Sequence, residues 1–240
     1  MGVTRGDVVS VFMENRIEFL ESVIALNKIG ATGGLINTNL RGRPLTHCIS
    51  VPESKKCIFG AELAEAIQEV KSDLNLAEGS DYLFVPDGDL DPVPNWALNL
   101  ETEAANPHLR TFPSPMKSRS VIMPSTSSRP ERRDYPRRPY CPIGVISRAL
   151  CFPYRWVAMD RSDRLYICLP LYHGTGLLIG AGASFSSGAA MVIRRRFSAS
   201  RFLPEVREHG ATCLIYVGEL CRISSTRNNG PMTTTIHSEP

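Results

Sequence analysis

Short apolar runs alternate with segments of helical periodicity through the first part of the chain. The runs that have the length of buried strands are residues 7–13, 34–40, 56–60 and 82–85. The segments between them predict helices, which follow Asn15 and span about 44–51 and 61–70. Strands that alternate with helices in this way are typical of an α/β fold with a parallel, doubly wound sheet and helices on both faces.

The first helix has recognisable ends. Asn15 can cap its N-terminus, and Glu18 three positions later completes a start that resembles a capping box. Gly30 suits the C-cap position. Between them, the apolar residues fall at roughly helical spacing, at Ile17, Leu20, Ile24 and Ile29.

The alternation resumes after residue 142. Residues 143–156 predict a helix, and 165–169 predict a buried strand that ends at Pro170 because proline cannot donate to a sheet ladder. Residues 183–193 end in a further strand. Ser198 is predicted to cap a helix that runs to Glu208, and residues 211–217 form the last predicted strand.

The turn after residue 169 is the strongest candidate for a site. Tyr172 and His173 lie on it, and Gly174 and Gly176 let the backbone approach a neighbour closely. Ligands of open α/β sheets bind where strands end, so a tyrosine and a histidine here are expected to point toward a cleft. The alternative is a core histidine that is satisfied by the backbone.

Residues 107–142 differ in composition from their flanks. Eight of the 18 prolines lie there, and residues 110–139 hold eight Lys or Arg against two Asp or Glu, so the rest of the chain is net negative although the whole carries +3. The segment has no apolar period, and its prolines and arginine repulsion predict disorder. Its arginines could bind nucleic acid, but no stacking aromatics are interleaved with them, which disfavours that function.

The remaining composition bounds the class of protein. A content of 42% hydrophobic and 21% charged residues in 240 is that of an ordinary soluble protein. No apolar run reaches the length of a membrane span, and the first residues lack the apolar core of a signal peptide. The seven cysteines include no C-x-x-C pair, so reduced thiols of an intracellular protein are expected and metal ligation is not.

A run of three arginines, Arg194, Arg195 and Arg196, follows the strand predicted to end at residue 193. Such a run could attract anionic lipid or phosphate. Because strand ends are commonly solvated by charges of this kind, the solvated interpretation is preferred at this point.

Several blocks together resemble one family. They include G-D-V-V-S-V-F-M-E-N-R, L-I-N-T-N-L-R, C-L-P-L-Y-H-G-T-G, F-S-A-S-R-F and Y-V-G-E-L-C-R. The chain is similar through them to fatty acid transport proteins, also called very long-chain acyl-CoA synthetases, which belong to the adenylate-forming, AMP-binding enzymes. The resemblance covers residues 2–105 and 143–222.

The resemblance implies a two-step reaction. A long or very long-chain fatty acid carboxylate attacks the α-phosphate of ATP, and coenzyme A thiol then displaces AMP, with Mg²⁺ and backbone donors stabilising the transferred charge. It implies no metal ligand and no catalytic residue within this chain. The positions that match the family's substrate and adenylate region are Tyr172, His173, Gly174, Thr175, Tyr216, Gly218 and Glu219.

The family's phosphate-binding loop, T-S-G-T-T-G-L-P-K, is absent between the two matching blocks. If the codons of residues 124–139 are read in a shifted frame, so that each new codon begins at the third base of an old one, they can encode F-Y-I-F-T-S-G-T-T-G-L-P-K-A-A. The same regrouping of 222–236 permits Y-L-L-N followed by Q-R-P-D-D. Both stretches are therefore expected to be translated out of frame.

The predicted organisation has four parts. Residues 1–106 and 143–222 are parts of one AMP-binding α/β domain, whereas 107–142 and 223–240 are disordered, out-of-frame segments. Without the loop and the family's later motifs, the expected product is an inactive fragment of a fatty acid–CoA ligase, so ATP, Mg²⁺ and coenzyme A are not expected to bind productively.

A non-catalytic acyl-chain or partner-binding remnant is the alternative function. Intact relatives are expected at endoplasmic reticulum, peroxisomal or plasma membranes. They carry an N-terminal membrane anchor that is expected to be missing here, and no nucleic-acid partner is expected.

Overall fold

The computed structural model describes residues 2–88, 91–105 and 159–216. The first part of the chain forms five strands and four α-helices, in the order β1 (Val8–Phe12), α1 (Ile17–Ile29), β2 (Thr32–Leu35), α2 (Gly42–Ser50), β3 (Lys56–Gly60), α3 (Ala64–Val70), β4 (Tyr82–Val85), β5 (Leu98–Asn99) and α4 (Leu100–Ala105). One-turn 3₁₀ helices precede and follow α3, at Ala61–Leu63 and Lys71–Asp73.

These strands form one parallel sheet of order β2-β1-β3-β4-β5. Val9 pairs with Gly33 on one side and with Lys56 on the other, so β1 lies inside the sheet. Helical crossovers are what parallel pairing requires. The predicted parallel α/β class is confirmed, and β3 and β4 have the predicted bounds.

The later described residues form a second parallel sheet, whereas the sequence predicted one doubly wound sheet. Its order is β7-β6-β8. Its elements are β6 (Arg164–Ile167), a π-helical segment (Thr175–Ala181), α5 (Gly182–Ser187), β7 (Ala190–Ile193), α6 (Phe202–Glu208) and β8 (Cys213–Leu214).

Alternate residues of the five-stranded sheet face two different cores. Ile58 and Leu83 join a cluster with α1 and with β6 of the second sheet. Their neighbours Phe59 and Phe84 join a cluster with α2 and α3 instead. Trp96 closes that second cluster, with its ring stacked on Phe59 at 5.3 Å. Because successive side chains of a strand point to opposite faces, the first sheet packs helices on both of its faces. The second sheet packs on the face that carries α1.

Of the four apolar residues whose spacing predicted α1, only Leu20 is buried. Ile17 is 62% exposed, and Ile24 and Ile29 are exposed as well. The residues that α1 buries are Phe19, Leu20, Ser22, Val23 and Leu26. Two overlapping apolar stripes run along this helix, and only packing against the sheets selects between them. Gly30 does end the helix, at φ 77°, as predicted.

Both predicted N-caps are also wrong. Arg16, not Asn15, lies at the N-cap of α1, and no side chain caps that end. Helix α6 begins at Phe202 with Arg201 at its N-cap, and Ser198 contributes only its backbone carbonyl, which accepts from the Phe202 N–H at 2.9 Å. In each case the small polar side chain is used elsewhere or remains at the surface.

The remaining differences are ones of extent. The strand predicted at 34–40 lies two residues earlier and is shorter, as β2, and the strand predicted at 211–217 shortens to β8. Strand β5 and helix α4 were not predicted. The predicted helix at 143–156, the segment 107–142 and the tail 223–240 lie outside the described residues. In the described ranges, no helix has the length and apolarity that crossing a bilayer requires.

Candidate functional site

The carboxyl ends of the strands of both sheets meet around Asn15, which follows β1 and is 5% exposed. Its Nδ2 donates to the carbonyl oxygens of Leu169, after β6, at 2.8 Å and of Arg194, after β7, at 3.0 Å. Its Oδ1 accepts from the Leu171 N–H at 2.7 Å. One amide thus satisfies three backbone groups that lie beyond the ends of their strands.

The predicted site turn, which follows β6 of the second sheet, is therefore held by Asn15 of the first sheet. Within the turn, the His173 N–H donates to the Pro170 carbonyl at 3.1 Å, and the His173 carbonyl accepts from the Leu177 N–H at 3.0 Å. The His173 side chain is exposed, so it is not the core histidine of the alternative interpretation. Its Nδ1 accepts from the Thr175 N–H at 3.4 Å, which places the proton of the neutral ring on Nε2.

The other residues of the turn differ in burial. Tyr172 is half-buried against the core shared by the two sheets, whereas Gly174 is exposed. Thr175 begins the π-helical segment, a rare geometry that is frequent at functional sites.

Gly176 is where the backbone approach is close. A Cβ on Gly176 would lie 2.3 Å from the Pro170 carbonyl oxygen, which only glycine avoids. At Gly174 the nearest atom would be 3.9 Å away, so the close approach predicted there is wrong.

Tyr216 follows β8 and is 53% exposed. Because β8 runs parallel to β6, with Tyr166 opposite Leu214, Tyr216 lies at the same sheet edge as the turn. Gly218 and Glu219 lie outside the described residues, so their predicted approach to an acyl pocket remains a prediction.

An open groove of about 670 Å³ lies beside Asn15. We call it the arginine groove, because five arginines and only three carboxylates line it. The arginines are Arg16, Arg194, Arg195, Arg196 and Arg201, and the carboxylates are Glu18, Asp87 and Glu205. The predicted residues of the turn are not part of this lining.

Arg16 is the most buried arginine of the groove, at 7% exposure. Its Nη2 donates to the carbonyls of Val85, the last residue of β4, at 3.1 Å and of Pro86, the next residue, at 2.6 Å. Its Nη1 lies 3.4 Å from Glu62 Oε2 and 3.1 Å from Asp87 Oδ1. The guanidinium thus joins the loops that leave β1, β3 and β4.

Glu205 organises the other wall. It is buried and accepts from the Tyr166 hydroxyl at 2.7 Å and from Arg194 Nη2 at 2.5 Å. Arg201 Nε lies 3.3 Å from the same carboxylate. Burial, followed by the hydrogen bond to Glu205, raises the pKa of Tyr166, which keeps the phenol protonated and donating.

Two buried thiols of the described region are not candidate nucleophiles. Burial raises the pKa of Cys57 to about 12 and that of Cys168 to about 11, so neither is a thiolate at neutral pH. Across the described ranges, no group of three or more His, Cys, Asp or Glu has the arrangement of a metal site.

The sequence did not predict that Asn15, Arg16 and Glu205 lie at the candidate site. A signal for the first two exists, since M-E-N-R places polar side chains directly after an apolar strand, at the carboxyl end where ligands bind. Glu205 lies within a helix and carries no such signal.

The family model described as AMP-binding enzyme matches residues 1–127, more than half of the chain. The chain therefore belongs to the AMP-binding enzyme family, which confirms the resemblance found in the sequence. It is similar to human long-chain fatty acid transport protein 1, with 34% identity over 227 residues. It is also similar to a medium/long-chain-fatty-acid–CoA ligase of Mycobacterium tuberculosis, with 31% identity over 222 residues.

These two alignments cover 92% of this chain but only 34% and 35% of the relatives, so the chain spans about a third of their length. Among solved structures, an acyl-CoA synthetase of Brucella canis has a TM-score of 0.72 and 16% identity over 95% of this chain and 40% of its own. A long-chain-fatty-acid–CoA ligase of Archaeoglobus fulgidus has a TM-score of 0.69, 16% identity and coverage of 94% and 42%. At this identity the likeness shows the fold.

Proposed function

We propose that this chain derives from a long-chain or very long-chain fatty acid–CoA ligase of the fatty acid transport protein type, and that the polypeptide as written does not complete the ligase reaction. The observation that carries the proposal is that relatives named for long-chain fatty acids align with nearly the whole chain. Membership of the AMP-binding family implies ATP use by the intact enzyme. We further propose that the intact enzyme uses Mg²⁺ and coenzyme A.

In this proposal the anchored turn is the substrate end of the site. His173 presents Nε2 toward the fatty acid carboxylate and the adenylate, and Tyr172, Gly174 and Thr175 shape the turn around it. Tyr216, Gly218 and Glu219 approach the acyl chain from the neighbouring strand end. The exposed His173 ring and the shared sheet edge of Tyr216 support this arrangement.

The proposed lack of activity rests on the segment between the two sheets. Charge on a transferred phosphoryl group must be stabilised by backbone donors, a lysine and a metal ion. The T-S-G-T-T-G-L-P-K loop that would supply the first two is not encoded in the frame as written. The family match includes residues 107–127, so the out-of-frame proposal rests on the regrouped codons of residues 124–139 and not on the family match.

The test is an assay of the purified chain with ATP, Mg²⁺, coenzyme A and oleate, in which acyl-CoA and diphosphate are both measured. We expect neither product above the level without protein. Acyl-CoA that requires ATP and is lost in His173→Ala would overturn the proposed inactivity while supporting the role of the turn. Saturable oleate binding without turnover would support the acyl-binding remnant instead.

A second experiment tests the frame directly. The transcript is sequenced across codons 105–145 and 220–240. An inserted or deleted base that restores the loop would identify the native product as an intact ligase. A transcript that encodes the chain as given would support a catalytically inactive product.

A further inference from the structure

The three consecutive arginines after β7 have no part in the proposed reaction. The sequence favoured a solvated strand end for them, but the fold brings them into the arginine groove together with Arg16, at the N-cap of α1, and Arg201, at the N-cap of α6. The groove opens at the carboxyl ends of parallel strands, where α/β sheets bind their ligands.

The carboxylates of the groove do not match its arginines one to one. Asp87 Oδ1 is shared between Arg16 and Arg195. Glu205 Oε1 is shared between Arg194 and Arg201. Two carboxylates outside the lining also contribute, since Arg195 reaches Glu14 at 3.5 Å and Arg16 reaches Glu62 at 3.4 Å.

Arg16 and Arg196 differ in whether a ligand can reach their donors. The Nε of Arg16 is buried from the groove and lies 3.2 Å from Glu18 Oε2, so a ligand cannot contact it. Arg196 is exposed and forms no ion pair within the part of the chain that the structure describes. Its donors can therefore bind an anion without displacing a carboxylate.

We propose that the arginine groove binds a phosphate group carried by a small anion, with inorganic diphosphate as the simplest example. Guanidinium forks match phosphate oxygens in pairs, and a phosphate offers more acceptors and more charge than the carboxylates already present. Arg196 supplies the open donors, and Arg194, Arg195 and Arg201 line the groove beside it. Partial burial lowers the pKa of Arg195, but attraction to Asp87 outweighs it and raises the pKa above its ordinary value, so Arg195 stays charged. The proposal does not depend on the ligase reaction.

The test is calorimetric titration of the full chain with diphosphate at low salt, repeated with AMP. Arg196→Gln and Arg201→Gln are the test variants, since both side chains are exposed and are not buried in the core. Arg207→Gln is the matched control, because Arg207 is exposed on α6 and lies outside the groove. Sedimentation with phosphatidate vesicles distinguishes a lipid headgroup from a free phosphate.

We expect saturable binding of diphosphate that weakens about tenfold in Arg196→Gln and is unchanged in Arg207→Gln. Saturable binding to the vesicles with the same dependence on Arg196 would also support the site and assign its phosphate to a lipid. Absence of saturable binding in both arms, or equal affinities in Arg196→Gln, Arg201→Gln and the control, would overturn it.

Discussion

Asn15 Oδ1 accepts a 2.7 Å hydrogen bond from the backbone N–H of Leu171, a residue 156 positions further along the chain. The same side chain donates to the carbonyls of Leu169 and Arg194. The loops that leave β1, β6 and β7 are thereby joined through one buried amide. The turn that carries the candidate site depends on a residue of the other sheet.

Replacing Asn15 with leucine should strongly destabilise the chain. The apolar side chain fills similar space but leaves one N–H and two carbonyls buried without partners, at a combined cost of about 3 kcal/mol or more. The free energy of unfolding in urea measures this loss. Asn39→Ala, at an exposed position, is the control and should change stability by less than about 0.5 kcal/mol. A loss below about 1 kcal/mol in Asn15→Leu would show that the hydrogen bonds contribute little.

The two glycines of the turn should respond differently to alanine. Gly176→Ala forces a Cβ against the Pro170 carbonyl oxygen, and we expect a loss of about 2 kcal/mol or more. Gly174 has φ −52° and open space, so Gly174→Ala should be neutral or stabilising by about 0.5 kcal/mol. Urea denaturation of both variants gives the comparison. Equal losses would contradict the close approach of Gly176 to the Pro170 carbonyl oxygen.

Arg16→Lys should be costly although it keeps the charge. A lysine ammonium cannot reproduce the planar fork that reaches Val85, Pro86 and Asp87 together, so the expected loss is about 2–4 kcal/mol. Thermal and urea unfolding measure it. The exposed Arg207→Lys serves as control, and a matching small change in both variants would rule out a structural role for the guanidinium geometry.

Alkaline stability should depend on Cys57. Burial raises the pKa of this thiol from 9.0 to about 12, so the unfolded chain loses the proton first. The stability that this shift contributes is complete below pH 9 and is lost as pH rises from 9 to about 12.

The experiment compares the free energy of unfolding against pH for the parent chain and Cys57→Ala. The parent should decline more steeply over that window, by up to about 1.4 kcal/mol per pH unit. Cys168, whose pKa burial raises to about 11, lowers the stability of both variants over part of this range and sets the shared background. Burial and then Cys57 raise the pKa of Tyr82 to about 12, so the difference between the two curves also contains a contribution from Tyr82. Parallel curves would show that Cys57 ionises equally easily in the folded chain.

Three strands of the first sheet, β1, β3 and β4, could be predicted from the sequence because their information is local, whereas β2 was displaced and β5 was not predicted. The apolar runs K-C-I-F-G and Y-L-F-V predicted β3 and β4 to the residue, and Gly30 predicted the end of α1. The buried face of α1 could not be predicted, since both of its apolar stripes satisfy helical spacing. Contact with the two sheets selects the stripe that contains Phe19 and Val23.

The sequence by itself determined the parallel α/β class, most strand positions and, through the P-L-Y-H and neighbouring blocks, membership of the AMP-binding family. Those features depend on residues close together in the chain, whose periodicity and order are visible without a fold. Only the tertiary structure decided that Asn15 holds a distant turn instead of capping α1, and that Arg16 lies with Arg194–Arg196 around one groove. Buried hydrogen bonds and ion pairs between residues so far apart form only when packing brings the strand ends together.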